Sequence, residues 1–334
     1  MKTHQVQQKT ERRISAALRL VFVAALLLGQ IALAFFLSTE LRQRAAIIYT
    51  VLELAAFGYA VRIYNRTDGA SYKFGWIFLV LTVPVVGLIL YFLWNGDRQQ
   101  KRLDLKKLPM PEEPEAQQAA HRIQMEKLRR KFPQWERLSV YLSRQGYLLY
   151  GDTETRYLPT GEAFLQDMLE KLEQAEHFIF LEFFIIAQGQ IWDRMEEIFR
   201  RKAAAGVEVK IIFDDFGSMM RFPAGQIEAL RESGVEVQIF NPVHHYVNRL
   251  YFNYRDHRKI VCIDGSTAYT GGANVADEYA NLTVRFGYWK DCGLRLEGEG
   301  VRTMTALFLQ MWGIQREPEF AQFLTRPLPE TQAK

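Results

Sequence analysis

HFIFLEFFIIAQGQIWDRMEEIFRRKAAAGVEVKIIFDD, residues 177–215, decides the fold class. Its two ends, 177–186 and 207–215, are short apolar runs rich in aromatic or β-branched residues and bounded by Gly or polar clusters, as strands are. Between them DRMEEIFRRKAAAG, 193–206, spaces its apolar residues three and four apart and closes on Gly206, a helix stop. Strand, helix, strand in succession predicts an α/β domain with a mixed β-sheet flanked by helices.

Working outward, VEVQIF (235–240), KIVCIDG (259–265) and DCGLRLEG (291–298) read as further strands. GEAFLQDMLEKLEQAE (161–176), AGQIEALRESG (224–234) and GEGVRTMTALFLQMWG (298–313) carry helical spacing. A lobe over 145–313 is therefore expected, with a polar tail or a truncated linker to a further lobe at 314–334. Ahead of it, the composition turns charged and Pro-rich at DRQQKRLDLKKLPMPEEPEAQQ (97–118). Residues 97–144 read as a juxtamembrane linker with a short polar helix at about 115–131.

The first 96 residues differ in kind. LVFVAALLLGQIALAFFL (20–37) and FGWIFLVLTVPVVGLILYFLWNG (74–96) carry no charge and have spanning length; the second has Trp76, Tyr91 and Trp94 near its ends, as an interfacial belt would. AAIIYTVLELAAFGYAV (45–61) is apolar but holds Glu53. It reads either as a third span with the carboxyl turned into the bundle or as an interfacial helix. Residues 1–96 are thus expected to be an anchor of two or three transmembrane helices. Arg12, Arg13 and Arg19 precede it and Arg98, Lys101, Arg102, Lys106 and Lys107 follow it. That places both flanks and the lobe in the cytoplasm if positive charge marks the inside, which favours an even number of crossings.

Composition narrows the class. The chain has 334 residues, 24% charged and 49% hydrophobic, which excludes a disordered or collagen-like protein. Its mean hydropathy of -0.14 averages the two unlike halves. Lys plus Arg number 42 against 38 Asp plus Glu, and the excess lies beside the hydrophobic segments, so no nucleic-acid footprint is read. Cys262 and Cys292 fall where strands are expected and read as two buried thiols, not as a disulfide framework.

The chemistry concentrates in NYRDHRKIVCIDGSTAYTGGAN, 253–274. His257 and Lys259 are two apart, so on a strand edge both side chains leave on one face. Asp264 closes the apolar run, and Gly271, Gly272 and Asn274 follow on the expected neighbouring strand, where glycines let a phosphate approach the backbone. A His can attack phosphorus, a Lys can neutralise phosphate oxygens, and an Asn amide can donate to another oxygen. No metal or other cofactor is needed, and no Cys/His ligand spacing is seen. The attacking nitrogen must be unprotonated, so a carboxylate should orient the other one; Asp291, opening the next strand, is the candidate. Glu182, in an apolar strand beside the site, reads as polar support for a substrate-binding pocket or as a capping partner. His244 and His245 read as loop residues.

The spacing H-x-K-x4-D-x6-G-G-x-N resembles that of the phospholipase D superfamily and, within it, the bacterial cardiolipin synthases. LEFFI (181–185), KAAAGVEVKIIFDDFGS (202–218), GGANVADEY (271–279), FGYWKD (286–291), SYKFGW (71–76) and PVVGLILYFLWNG (84–96) carry the likeness further. The resemblance implies a phosphohistidine intermediate. His257 would attack one phosphatidylglycerol and release glycerol, and a second phosphatidylglycerol would accept the phosphatidyl group to give cardiolipin. It implies Lys259 and Asn274 as phosphate contacts and Asp264 as a loop-fixing member of the motif. It also implies a bacterial cell-membrane location, with anionic membrane lipids as partners. The chain departs from the family in one respect. Of His4, His121, His177, His244, His245 and His257, only His257 begins an H-x-K, whereas the family pairs two motifs. The chain reads as the N-terminal portion. Three expectations follow: a homodimer sharing two motifs, a separate second-lobe chain, or an inactive half that is a non-catalytic membrane protein. A phosphodiesterase acting on another substrate is a further alternative.

Overall fold

A computed structural model of the chain describes residues 42–94, 115–242, 255–285, 287–315 and 320–324, with positions between 21 and 35. The expected first span and the 97–114 stretch lie wholly or largely outside the described residues, as do His4, His244 and His245. Contacts divide the chain into two units, one holding residues 1–101 and the other the lobe.

The first unit is built on α1 (Arg42–Tyr64), α2 (Ala70–Thr82) and α3 (Pro84–Trp94). Residues Ile47–Tyr64 are long and apolar enough to cross a membrane. Val51, Leu54, Phe57 and Tyr64 are exposed on α1, while Ala56, Ala60 and Ile63 are buried. Small residues four apart permit close helix approach. Glu53 is exposed, so its carboxyl is not turned into the bundle.

The apolar stretch 74–96 departs from expectation. It is a hairpin of two short helices rather than one straight span: the rings of Trp76 and Tyr91 lie 5.5 Å apart, and a Cβ on Gly87 would lie 2.5 Å from the Leu79 carbonyl oxygen. A straight helix would separate either pair by more than 10 Å. The turn is at Val83, φ −134° and ψ 71°, because the residue before a proline is pushed out of the helical region. Pro84 then opens α3, where its missing N–H costs nothing. The Val86 N–H at that helix start is met by Gln30 Oε1 at 3.0 Å, which explains a polar residue in the first apolar stretch. At 13 and 11 residues, each arm falls short of the roughly 30 Å hydrocarbon core.

In the second unit a pair of helices, α4 (Glu115–Lys131) and α5 (Glu136–Arg144), leads to the sheet strands β1 (Thr153–Leu158), β2 (Phe178–Phe183), β3 (Glu208–Asp214), β4 (Glu236–Phe240), β5 (Ile260–Ile263), β6 (Thr267–Gly271) and β7 (Gly293–Gly298). Their order is β1-β7-β6-β5-β2-β3-β4, with β2, β3 and β4 parallel and the other pairings antiparallel, a mixed sheet as expected. All six residues of β2 are buried, as a central strand covered on both faces requires. Helices α6 (Gly161–Leu172), α7 (Gln190–Ala204) and α8 (Ala224–Glu232) supply the core on one face, with Ile179, Leu181 and Phe183 of β2. Helices α9 (Val301–Trp312) and α10 (Phe320–Leu324) cover Phe178 and Phe180 on the other. Of the two cysteines, Cys262 is buried in that second layer, its thiol pushed up to about 12 by burial, whereas Cys292 is exposed and corrects the expectation of two buried thiols.

Candidate active site

β2 and β6 end, and β5 and β7 begin, at one edge of the sheet, and the chemistry-bearing residues gather there. Lys259 is 4% exposed, yet His257 two residues earlier is open to solvent. Lys259 Nζ donates to the His257 carbonyl oxygen at 2.8 Å and stands 3.2 Å from the ring nitrogen Nδ1. Both pack on Phe184, just past β2: the imidazole centroid is 4.9 Å from the phenyl centroid and Nζ is 5.7 Å from it. Desolvation, followed by the Lys259 charge, holds the imidazole below the ordinary histidine value. Burial lowers the Lys259 ammonium, and the carboxylates of Asp256 and Asp291 oppose that shift. The result is a neutral, exposed imidazole with an ammonium at its side.

Two carboxylates beneath the His257 loop fix it. Asp214 ends β3 fully buried, accepting from the Asp256 N–H at 2.9 Å and from Arg255 at 3.3 Å. Asp214 also caps the helical turn Asp215–Ser218 through Phe216 N–H at 2.9 Å. On the opposite side of the chain from His257, Arg258 Nε donates to Glu182 Oε1 at 2.6 Å. Glu182 has no exposed surface, so it does not reach substrate; of its two expected roles, polar support is the one its position allows. Burial, then the neighbouring Asp256 charge, raise its pKa well above that of an ordinary carboxyl, and the Arg258 charge opposes the shift.

Asn274 is buried, with Oδ1 accepting from Ile185 N–H at 3.0 Å and Nδ2 donating to Tyr279 Oη at 2.9 Å. It holds the chain beside Phe184, and one amide hydrogen remains for a ligand. Asp264 lies at the far end of β5 from His257. Its carboxylate accepts from Glu176, His177 and Phe178 N–H groups, each at 2.8 Å, fixing the entry to β2. Asp264 (φ 52°) and Gly265 (φ 70°) are the central pair of the turn in the three-residue β5–β6 connection, closed by Ser266 N–H donating to the Ile263 carbonyl oxygen at 3.1 Å; Asp-Gly suits that left-handed pair.

Asp291 is not hydrogen-bonded to His257 among the described residues; its Oδ1 accepts from Cys292 N–H at 2.8 Å, and its charge acts on Lys259. A Cβ on Gly271 would lie 2.7 Å from the Cys292 carbonyl oxygen, and one on Gly272 would collide with Asp291 Oδ1. The space a Cβ would take is filled by the β7 backbone and Asp291, so the missing side chains let a strand and a carboxylate come close. Replacing Gly272 with alanine is expected to displace Asp291 and to lower any turnover by about tenfold or more while circular dichroism stays unchanged. The residues that sequence reasoning missed are Phe184, Asp214, Asp256, Arg258 and Tyr279. The parity of His257 and Lys259 already sends Arg258 to the other face, but nothing in the sequence says that Glu182 waits there. Among the described residues, no cluster of His, Cys, Asp or Glu is placed to hold a metal ion.

A mixed sheet presenting His and Lys from an H-x-K-x4-D strand defines a phospholipase D-like lobe, and comparison with known proteins agrees. Residues 168–286 match the family described as cardiolipin synthase, PLD-like domain, and residues 54–95 match phospholipase D-nuclease N-terminal. More particularly, over most of its length the chain is similar to proteins named cardiolipin synthase. It is 33% identical to cardiolipin synthase 2 of Bacillus anthracis over 260 residues, 78% of this chain and 50% of that protein. It is 30% identical to the cardiolipin synthase of Alkalihalophilus pseudofirmus over 284 residues, 84% of this chain and 55% of that one. An uncharacterized protein of Streptococcus mutans is 38% identical over 76% of this chain and 56% of its own length. The chain spans about half the length of the curated relatives it matches.

Proposed function

We propose that this lobe supplies the nucleophilic half of a phosphatidyl-transfer site that converts two phosphatidylglycerols to cardiolipin and glycerol. The observation that supports it is the neutral, solvent-open imidazole of His257 resting on Phe184 beside the Lys259 ammonium. The lipid phosphate binds Lys259 and draws its ammonium away from Nδ1. Nδ1 then carries the proton, with Asp291 as the acceptor we assign to it, and the Nε2 lone pair attacks phosphorus. An N–P bond forms and the bond from phosphorus to the glycerol oxygen breaks. Glycerol leaves after taking one proton from a general acid, and the hydroxyl of a second phosphatidylglycerol then displaces histidine and returns one proton. His257 cannot serve as that acid while it is bonded to phosphorus. The acid is therefore assigned to a second motif from another copy of this chain or from another chain, paired across the open edge of the sheet. The first unit holds the lobe at the inner leaflet of the cell membrane as a multi-pass anchor, keeping the site at its lipid.

The test is conversion of phosphatidylglycerol by the purified chain in mixed micelles. Cardiolipin and glycerol in equal amounts, rising with more than the first power of enzyme concentration, support pairing of copies. No turnover by folded protein contradicts pairing of copies and leaves the acid to another chain.

The pH dependence has a fixed sign. Attack needs neutral imidazole, and His257 is held below its usual 6.5, so turnover should be flat through neutrality and fall only on acidification through that lowered value. Folding follows the same direction: the contribution of the neutral ring is present above 6.5 and lost as pH falls through the folded value. A pH–rate profile from 4 to 8 checks this, and an acid limb at or above 6.5 would contradict it.

A further inference from the structure

Helices α4 and α5 form a hairpin whose packing and outer face point in different directions. On α5, Ser139, Val140 and Ser143 are partly buried, and Ser143 Oγ sits 3.1 Å from His121 Nε2 of α4. His121 Nδ1 accepts the Leu149 N–H at 2.8 Å, so the hairpin is tied down by both ring nitrogens. The other face of α5 and its lead-in is apolar and uncovered: Trp135 is 54% exposed, Leu138 49%, Tyr141 61% and Leu142 39%. At 100° per residue these four occupy one arc of about 120°, with Arg137 and Arg144 along one border. Phe132, at the bend, is 53% exposed as well.

The charge beside this stripe is one-sided. Residues 115–144 contain seven Lys or Arg against three Glu, so this segment matches the entire net charge of the chain, +4. Arg122, Arg129 and Arg144 line a cleft of about 590 Å³ between the two helices, with Glu126 as its one carboxylate. Arg129 is paired with Glu136 at 2.7 Å, whereas Arg122, Arg137 and Arg144 make no salt bridge among the described residues. An apolar stripe bordered by unpaired guanidinium groups and a basic cleft fits a surface of acyl chains topped by anionic headgroups. A globular partner would need a shaped apolar socket ringed with carboxylates. A bilayer needs only depth and charge.

We propose that the α4–α5 hairpin lies on an anionic bilayer, with Trp135, Leu138, Tyr141 and Leu142 entering the headgroup boundary and the arginine-lined cleft receiving lipid phosphates. The contact is separate from phosphatidyl transfer, and its test needs no turnover. The full chain carrying Cys292→Ser and Leu138→Cys is labelled at 138 with an environment-sensitive fluorophore. It is reconstituted into nanodiscs of phosphatidylcholine alone or with about a third phosphatidylglycerol. Nitroxide lipids, bearing the quencher near the headgroup or deep in the chain, report depth. Phe57→Cys on α1 serves as the insertion control.

The expected result is at least twofold stronger quenching at 138 by the shallow nitroxide than by the deep one. It should require phosphatidylglycerol and be lost with Arg137→Glu plus Arg144→Glu. Quenching at 57 but not at 138 would overturn the proposal. So would equal quenching at 138 in both lipid mixtures. A label at 138 shielded from aqueous iodide but untouched by either lipid would also overturn it, showing that protein covers this face.

Discussion

His257→Gln is expected to lower phosphatidyl transfer by at least about 10³-fold while leaving the fold intact, because removing a nucleophile eliminates the covalent route rather than weakening a contact. The imidazole is exposed and makes few packing contacts, so the melting temperature should stay within a few degrees. Lys259→Ala should behave differently. Its ammonium is buried against Phe184 and also bonds the His257 carbonyl oxygen, so turnover and the geometry of the loop should both suffer. A His257→Gln protein that retains a tenth of wild-type turnover would remove the histidine from the mechanism.

The largest stability effect is expected from Asp264→Ala. Three backbone N–H groups lose a carboxylate acceptor, and alanine must take a φ of 52°. Two of those donors are exposed and can turn to water, which brings the cost to about 3 kcal/mol rather than the full value for three charge-assisted bonds. For a unit of this size that is a drop of about 6 to 12 °C in melting temperature. Asp264→Asn keeps a left-handed-tolerant residue and one acceptor oxygen, and should lose about half as much. Calorimetry on the three proteins checks the order. Equal melting temperatures for wild type and Asp264→Ala would show that the carboxylate does not anchor β2.

The sequence made the central sheet readable because β2, β3 and β5 are buried on both faces and so are nearly continuous apolar runs. β1 escaped notice for the opposite reason: TETRYL is an edge strand with four exposed residues in a row, and no hydrophobic alternation marks it. In the first unit, hydropathy registers how apolar residues 74–96 are but not that Val83 and Pro84 reverse the chain. The second helix of the linker, Glu136–Arg144, was missed because its apolar face points outward and gives no sign of a core.

The site divides along similar lines. The two-residue spacing of His257 and Lys259 made their shared face legible, since strand parity is a local property. At the glycine pair a missing Cβ reveals a close approach but not what approaches; in the fold, Asp291 and the β7 backbone lie in the space a Cβ would take. Glu182 was noticed for its charge in an apolar strand, yet its partner Arg258 is 76 residues away, across a β2–β5 pairing that only the folded sheet discloses.

Phosphatidyl transfer as proposed rests on His257 as the nucleophile. It is tested most directly with a phosphodiester whose leaving group needs no proton, such as a lipid p-nitrophenyl phosphodiester, because the missing general acid then cannot limit the first step. A burst of p-nitrophenolate of about one per chain is expected, with the phosphatidyl mass on the peptide containing His257 and neither signal in His257→Gln. A burst of the same size in His257→Gln, or a label on another residue, would contradict it.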